Sequence, residues 1–407
     1  MSETSPSGIG AASAAVKLKR GKEGPIRAGH PWVFSGAIAA VEGSPEAGAV
    51  VRVRDDTGTV LGVGLYNPRG SIAVRLVAGV DEPVDAALVR RRVSDALTLR
   101  RRMGLVGESS AFRLLNGEGD GLPGVVADVY DRFVSLQLLN AGAERLRGLV
   151  LDALDDVLEP RGVFERSTGG ARREEGLEDR VGLASGQELP ERVEIREEGV
   201  IHLVDVRRGQ KTGFFLDQRA NRAQVGRLAS GLRVLDCFAY TGGFSLAAAK
   251  GGAARVTAIE TSGPALELAR AAAARNEIPE ERIEWRAADV FDVLVADGSG
   301  RERPDLIVLD PPPFARHRSD RDRAVRAYRD LNRRALRTLA PGGMLFTFSC
   351  SPHVTRELFV HVVATSAPPG TRLQVLASVG AGPDHPVLPA HPEGEYLSGL
   401  LVRAIAD

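Results

Sequence analysis

From Leu232 onward the chain alternates between short apolar runs and helix-patterned stretches, and this alternation leaves its C-terminal half very few folds. The runs are Arg233–Cys237, Arg255–Glu260, Ile283–Ala287, Leu306–Asp310 and Met344–Ser349, each with a helical pattern behind it. Strands joined by helical crossovers lie parallel, and a parallel sheet is covered on both faces. Two later runs, Leu373–Val379 and Leu397–Ile405, have no helix between them and are expected as an antiparallel pair at the sheet edge. The expectation is an α/β region built on a mostly parallel, seven-stranded sheet. In such sheets the ligand sits at the carboxyl ends of the strands.

A chain of 407 residues exceeds what one core organises, so two or three domains are expected. Residues 1–14 are small and polar and are expected as a mobile tail. Ala49–Arg54, Val60–Tyr66 and Ile72–Val77 are β-runs parted by Gly-rich turns, which predicts a small β-barrel-like module over 15–80. After a linker at Asp81–Val84, Asp85–Met103 has helical apolar spacing at Leu88, Val89, Val93, Ala96, Leu97 and Met103. Strands at Val125–Tyr130, Phe133–Leu139 and near Val163, with a helix near Ala143–Leu158, predict an α+β middle domain over 84–190. A hairpin in Glu191–Val206, turning at Glu198-Gly199, opens the last region, 191–407.

Lys+Arg and Asp+Glu both number 53, which excludes a polybasic chain that holds nucleic acid by bulk charge. Arginine is nevertheless clustered, at Arg90, Arg91 and Arg92, at Arg100 to Arg102, and again from Arg316 to Arg337. Each cluster reads equally as a solvated helix face or as a phosphate-binding surface. No apolar run reaches the length of a membrane span and the N-terminus lacks a secretory pattern, so a cytoplasmic protein without a membrane partner is expected. Two cysteines, Cys237 and Cys350, and seven scattered histidines predict neither a disulfide framework nor a metal site.

The first strand of the alternating region runs through Asp236 into Cys237-Phe238-Ala239-Tyr240-Thr241-Gly242-Gly243-Phe244. Glycines at this turn let a ligand approach the backbone, but the Gly-x-Gly-x-x-Gly of dinucleotide sites is absent. Glu260 ends the next strand 260 − 236 = 24 residues later, where a carboxylate can accept both hydrogen bonds of a ribose diol. Asp289, behind the third strand, is placed to accept from an adenine amino group. Singly, Asp236 or Glu260 also reads as a helix cap and Gly242 as a turn residue. As an ordered set they resemble the donor site of the class I S-adenosylmethionine-dependent methyltransferases, with a Rossmann-like fold. That resemblance extends donor contact to Phe238, Tyr240, Thr241, Phe244, Asn276, Val290 and Asp310.

The fourth strand ends Asp310-Pro311-Pro312-Pro313-Phe314, which resembles the Asp-Pro-Pro-x-Phe signature of base-modifying nucleic-acid methyltransferases and marks Pro311, Pro312 and Phe314 as substrate-side residues. Proline fixes the turn and removes N–H donors, so Asp310 and nearby carbonyls can face a planar base. Family members often carry Lys where Pro313 stands. Cys350 follows the fifth strand just ahead of a helix, whose dipole favours thiolate, whereas Cys237 follows a buried strand and reads as a core residue. Carbon 5 of a pyrimidine is too weak a nucleophile to take a methyl group unaided, so Cys350 is the candidate nucleophile for addition at carbon 6. A buried inert thiol is the alternative.

Upstream, Gln210-Lys211-Thr212-Gly213-Phe214-Phe215-Leu216-Asp217-Gln218-Arg219 resembles a family segment that covers the methionine end of the donor. The likeness places Asp217 near the ammonium group and Lys211 or Arg219 near the substrate; equally, Asp217-Gln218-Arg219 is an acidic helix start. With Gly29-His30-Pro31-Trp32-Val33-Phe34, Asp384-His385-Pro386 and Pro392-Glu393-Gly394-Glu395-Tyr396-Leu397, the chain resembles the bacterial ribosomal RNA cytosine-5 methyltransferases that carry an N-terminal PUA domain, especially the 23S enzymes. The resemblance covers nearly all of residues 16–407. It implies S-adenosylmethionine as cofactor, a flipped cytosine of structured ribosomal RNA as substrate, a PUA module that helps hold the RNA, and His385 near the base pocket. Methylation of a base nitrogen, and a ribosome-assembly protein with a vestigial donor site, remain open beside it. So does a homodimer.

Overall fold

The computed structural model describes residues 12, 14–107, 110–294, 302–315 and 317–406. Of the expected tail only 12 and 14 are described, and Arg316 also lies outside the described residues. The chain divides into two compact units. One takes the chain up to Val193 together with Asp205–Phe215 and Pro383–Gly394; the other takes Glu194–Val204, Leu216–Gly382 and the chain from Glu395 onward.

In the first unit, β1 (Ala14–Leu18), β2 (Trp32–Phe34), β3 (Ile38–Glu42), β4 (Val50–Arg54), β5 (Val60–Tyr66) and β6 (Ile72–Ala78) form one sheet in the order β2-β6-β5-β4-β1-β3. A second sheet contains β7 (Ala111–Asn116), β8 (Val125–Tyr130), β9 (Phe133–Leu138), β10 (Gly162–Ser167) and β11 (Arg180–Gly186) in the order β11-β10-β9-β8-β7. Two of these, β7 and β11, have no strand pattern in the sequence. Arg113 interrupts the apolar run of β7, and β11 is a Gly-containing edge strand with mostly exposed or half-buried residues. One core runs from Val63 and Leu65 through Leu88, Val93 and Leu97 to Leu114, Leu136 and Leu154, and a second one gathers Val16, Leu18, Val33, Val51, Val53 and Val74.

The helix Ala86–Arg102 is capped by Asp85, whose carboxylate accepts from the Leu88 N–H. Its buried stripe contains Leu88, Val89, Val93, Ala96 and Leu97, as the spacing predicts, but ends on Arg100. Met103, expected on that stripe, lies beyond the helix and is exposed. Arg100 is fully buried, holds both carboxylate oxygens of Asp120 at 2.5 and 2.8 Å, and donates to the carbonyls of Arg113 and Asp384. It is therefore an internal clamp on the segment Pro383–Gly394.

The second unit opens with the hairpin of β12 (Val193–Glu197) and β13 (Val200–Val204), whose two turn residues, Glu198 and Gly199, both have positive φ. Its main sheet contains β14 (Arg233–Cys237), β15 (Arg255–Glu260), β16 (Ile283–Ala287), β17 (Leu306–Leu309), β18 (Met344–Ser349), β19 (Thr371–Val379) and β20 (Ser398–Ala406), ordered β16-β15-β14-β17-β18-β20-β19. β14 to β18 are parallel, and β20 runs antiparallel between β18 and the edge strand β19. Strand order reverses at β14, so the crevice at its carboxyl end, between the turns after β14 and β17, is the place such a sheet offers a ligand.

Breaking a buried, bidentate pair leaves a charge without its partner, at a cost of about 3–5 kcal/mol. Arg100→Ala should accordingly lose stability of that order in urea unfolding, whereas Arg101→Ala, on the exposed face, should unfold like the wild type.

Candidate active site

Asp236, the fourth residue of β14, is buried, and its Oδ2 accepts from the Ser245 hydroxyl at 2.6 Å. Its Oδ1 is enclosed and has no hydrogen-bond partner among the described residues. Burial, with Asp310 and Glu260 nearby, pushes the Asp236 carboxyl up to about 7. Thr241 likewise encloses a hydroxyl without a partner. An enclosed carboxylate oxygen without a partner, beside two further acids, fits a ligand that carries sulfonium and ammonium charge.

The turn after β14 is shaped for close approach. Phe238, Tyr240 and Gly242 have φ of 64°, 50° and 76°, two of them in a region that side chains rarely enter. Glu260 holds this turn, since its Oε2 accepts from the Tyr240 N–H at 2.9 Å while Oε1 accepts from the Ser262 N–H at 2.8 Å. It thus links the loop to the helix Gly263–Arg275. A Cβ on Gly242 would lie 2.7 Å from the Trp285 ring, so packing requires that glycine as well as its φ. Phe244 is buried against Phe348, ring centroids 5.8 Å apart, and supports the loop from the core. Asp289 caps the helix Val290–Val293 by accepting from the Phe291 N–H at 2.7 Å; Asp289 is exposed and Val290 buried.

Asn276 is a correction. It was expected at the donor, but its Oδ1 accepts from the Ile201 N–H and its Nδ2 donates to the carbonyls of Ile201 and Ala272. Both amide protons are engaged, so Asn276 ties the β13 hairpin to the end of a helix and has no donor left for a ligand.

Asp310 follows β17 and is half-buried. Behind it Pro311 is buried, Pro312 exposed, and Phe314 packs against Tyr328 with tilted rings and centroids 4.7 Å apart. Cys350 follows the neighbouring strand β18, is partly exposed, and its thiol lies 3.7 Å from the Pro311 carbonyl, to which it can donate. Cys237 is fully buried, and burial together with Asp236 pushes its thiol well above the usual range. The two cysteines therefore differ as the sequence suggests.

Asp217 is buried in this unit and accepts from the Tyr396 hydroxyl at 2.6 Å. Arg219 is buried too, close enough to Glu197 and His202 to influence both electrostatically. Glu197 grips Arg222 bidentately at 2.6 and 2.7 Å, and burial pushes His202 down to about 4. Sequence reading missed this cluster. Arg222 packs its stem where a Gly243 Cβ would be, which supports the start of the helix after the donor turn.

Lys211 and His385 belong to the first unit. Lys211 has φ 52° and lies over the Phe215 ring at 4.7 Å; Thr212 next to it is anchored to Asp128 and Tyr130. His385 is buried and its Nδ1 faces Asp384 at 3.0 Å. In the Arg90–Arg92 cluster Arg90 pairs with Asp156 at 3.4 Å, Arg91 pairs with Glu82, and Arg92 is half-buried against Gly121. Two of its three charges already have acids, which favours the solvated-face reading. Among the described residues no group of three or more His, Cys, Asp or Glu could hold a metal, and no helix is long and apolar enough to cross a membrane.

Fold and site together define a class I S-adenosylmethionine-dependent methyltransferase. The family described as S-adenosylmethionine-dependent methyltransferase matches residues 178–393, and the PUA-like domain family matches 16–78. The chain is 39% identical to ribosomal RNA large subunit methyltransferase I of Alteromonas mediterranea and 41% identical to that of Tolumonas auensis, each match covering 97% of this chain and 100% of the relative. This chain belongs to the ribosomal RNA large subunit methyltransferase I family. Its fold matches a solved candidate methyltransferase from Streptococcus mutans with TM-score 0.82 at 22% identity, covering 96% of this chain and 99% of that one. Another solved candidate methyltransferase, in complex with SAH, matches with TM-score 0.84 at 23% identity, covering 96% and 99%.

Asp236 yields a pH test. S-adenosylmethionine carries a sulfonium and an ammonium against one carboxylate, so it favours ionised Asp236. Below about pH 7 binding must expel the Asp236 proton. Affinity should fall on acidification, by up to about tenfold per pH unit well below that value. Calorimetry in buffers of different ionisation enthalpy should detect the released proton near pH 6, and Asp236→Asn should abolish that release.

Proposed function

We propose that the protein methylates carbon 5 of a cytosine in large-subunit (23S) ribosomal RNA, with Cys350 as nucleophile and the cytoplasm as its location. The observation that carries this reading is the place of Cys350: a partly exposed thiol at the end of β18, beside the Pro311 carbonyl of the turn that begins at Asp310. The relatives are named for large-subunit ribosomal RNA. A PUA-like module supplies a second means of holding RNA.

When bound, S-adenosylmethionine would supply an electrophilic methyl group, its S–CH3 bond breaking to leave the neutral thioether. Cys350 loses its proton, and its thiolate adds to carbon 6 of the flipped base, which moves the electron pair of the double bond to carbon 5. Carbon 5 then takes the methyl group. Loss of the carbon-5 proton restores the double bond and expels the Cys350 thiolate. Asp310 binds the base during addition, and the proline turn beside it keeps competing N–H donors away. We place Asp236, Glu260 and Asp289 around the donor and Asp217 at its ammonium end.

For RNA affinity the helix Arg321–Thr338 is a better surface than Arg90–Arg92. Arg326, Arg333 and Arg337 are exposed, fall on one helix face at spacings of 7 and 4, and have no acidic partner within salt-bridge distance among the described residues. Replacing all three with Gln should reduce the slope of log K against log salt by up to about 3 × 0.7 for single-stranded contacts, with donor affinity unchanged.

The cysteine reading is tested by substitution. Cys350→Ala should keep donor and RNA binding yet lose turnover, while Cys237→Ala stays active. With 5-fluorocytosine at the target position the departing proton is absent, so wild-type protein should be trapped as a covalent RNA adduct and Cys350→Ala should form none. Full turnover by folded Cys350→Ala would transfer the reading to nitrogen methylation, and mass spectrometry of ribosomal RNA from a deletion strain would identify the lost nucleoside.

A further inference from the structure

Cys350 stands between two buried serines, and all three residues meet one tyrosine. The Ser351 hydroxyl accepts from the backbone N–H of Phe314 at 3.1 Å and of Ala315 at 3.2 Å, which ties the end of the proline turn to the cysteine loop. Those bonds occupy both lone pairs of the oxygen, so its own proton goes to the Tyr328 hydroxyl 3.0 Å away. On the other side of the cysteine, the Ser349 hydroxyl accepts from the Ser351 N–H at 3.4 Å.

Tyr328 itself has no freedom to drift. It is fully buried in the middle of the helix Arg321–Thr338, with its ring against Phe314 at 4.7 Å and Phe359 at 5.7 Å. Burial, and Cys350 nearby, push its phenol up to about 12, so near neutral pH it remains a neutral donor. Linked hydrogen bonds in a dry setting strengthen one another and specify a single arrangement. Of the three loop residues only Cys350 is partly exposed; its neighbours on both sides are held.

We infer that Tyr328, acting through the hydroxyl of Ser351, is a positioning residue that holds the Cys350 loop and the Asp310–Phe314 turn in the register needed for attack on the base. This rests on the thiolate reading above. It concerns where the sulfur is held and leaves its acidity and donor binding to other groups.

Tyr328→Phe removes one oxygen and preserves the buried ring, and Ser351→Ala removes the bond to the turn from the other side. In full-length protein, either variant should lower kcat by about 10- to 100-fold, the range expected when a reacting group is displaced by a fraction of an ångström to 1 Å. KM for RNA and the calorimetric donor Kd should not change. Trapping on 5-fluorocytosine RNA should slow by the same factor as kcat, whereas alkylation of Cys350 by iodoacetamide without donor, followed by mass spectrometry, should keep its wild-type rate and pH profile. Wild-type turnover in a folded Tyr328→Phe protein overturns the inference, as does a loss explained wholly by KM, by donor Kd or by a lowered melting temperature. If wild-type protein forms no adduct, the thiolate reading itself fails and the positioning role fails with it; a normal wild-type adduct with unimpaired variants defeats the positioning role alone.

Discussion

Five parallel strands deliver their last residues to one edge of the sheet, and the chemistry of this protein follows from that constraint. Asp236, Glu260, Asp310 and Cys350 lie far apart in sequence, yet each stands at or near the end of a strand whose neighbours are set by backbone pairing. The sheet gathers acidic side chains at one place. Asp236 feels the carboxylates of Asp310 and Glu260 while one of its own oxygens has no partner, so the folded protein holds a desolvated site for positive charge.

That stored disadvantage is offset by rigidity around it. Glu260 ties the left-handed turn to the next helix, Arg222 fills the space above Gly243 while Glu197 grips its guanidinium, and Asn276 binds the β13 hairpin to the helix behind β15. Each bond is modest alone, at about 1 kcal/mol for a neutral pair and more where charge is involved. Together they explain how Phe238 and Tyr240 remain in a backbone region that costs free energy to occupy. The proline turn and the cysteine loop are bound in the same manner, by Ser351 and Tyr328.

Much of this was legible in the linear chain. Strand and helix periodicity located the seven strands of the main sheet nearly to the residue, with β17 stopping at Leu309 one residue short of the expected end. Periodicity is local, and a strand buried on both faces advertises itself by an unbroken apolar run. Strands β7 and β11 were illegible for the opposite reason, since Arg113 and the glycines of β11 break the pattern. Arg100 misled in a different way. It stands in an Arg-rich run yet points inward, because Asp120 and two carbonyls wait for it across the fold.

Residue type and spacing within a short window were enough for the fold class, the order of motifs along the strand ends and the expectation that Cys237 is a buried core residue. Tertiary structure decided the partners. Asn276 was removed from the donor site by Ile201, 75 residues away, and Ser351 was joined to Phe314 and Ala315 across 37 and 36 residues. A hydrogen bond is formed by whatever donor lies within about 3 Å, and only the closed fold brings such distant groups into that range.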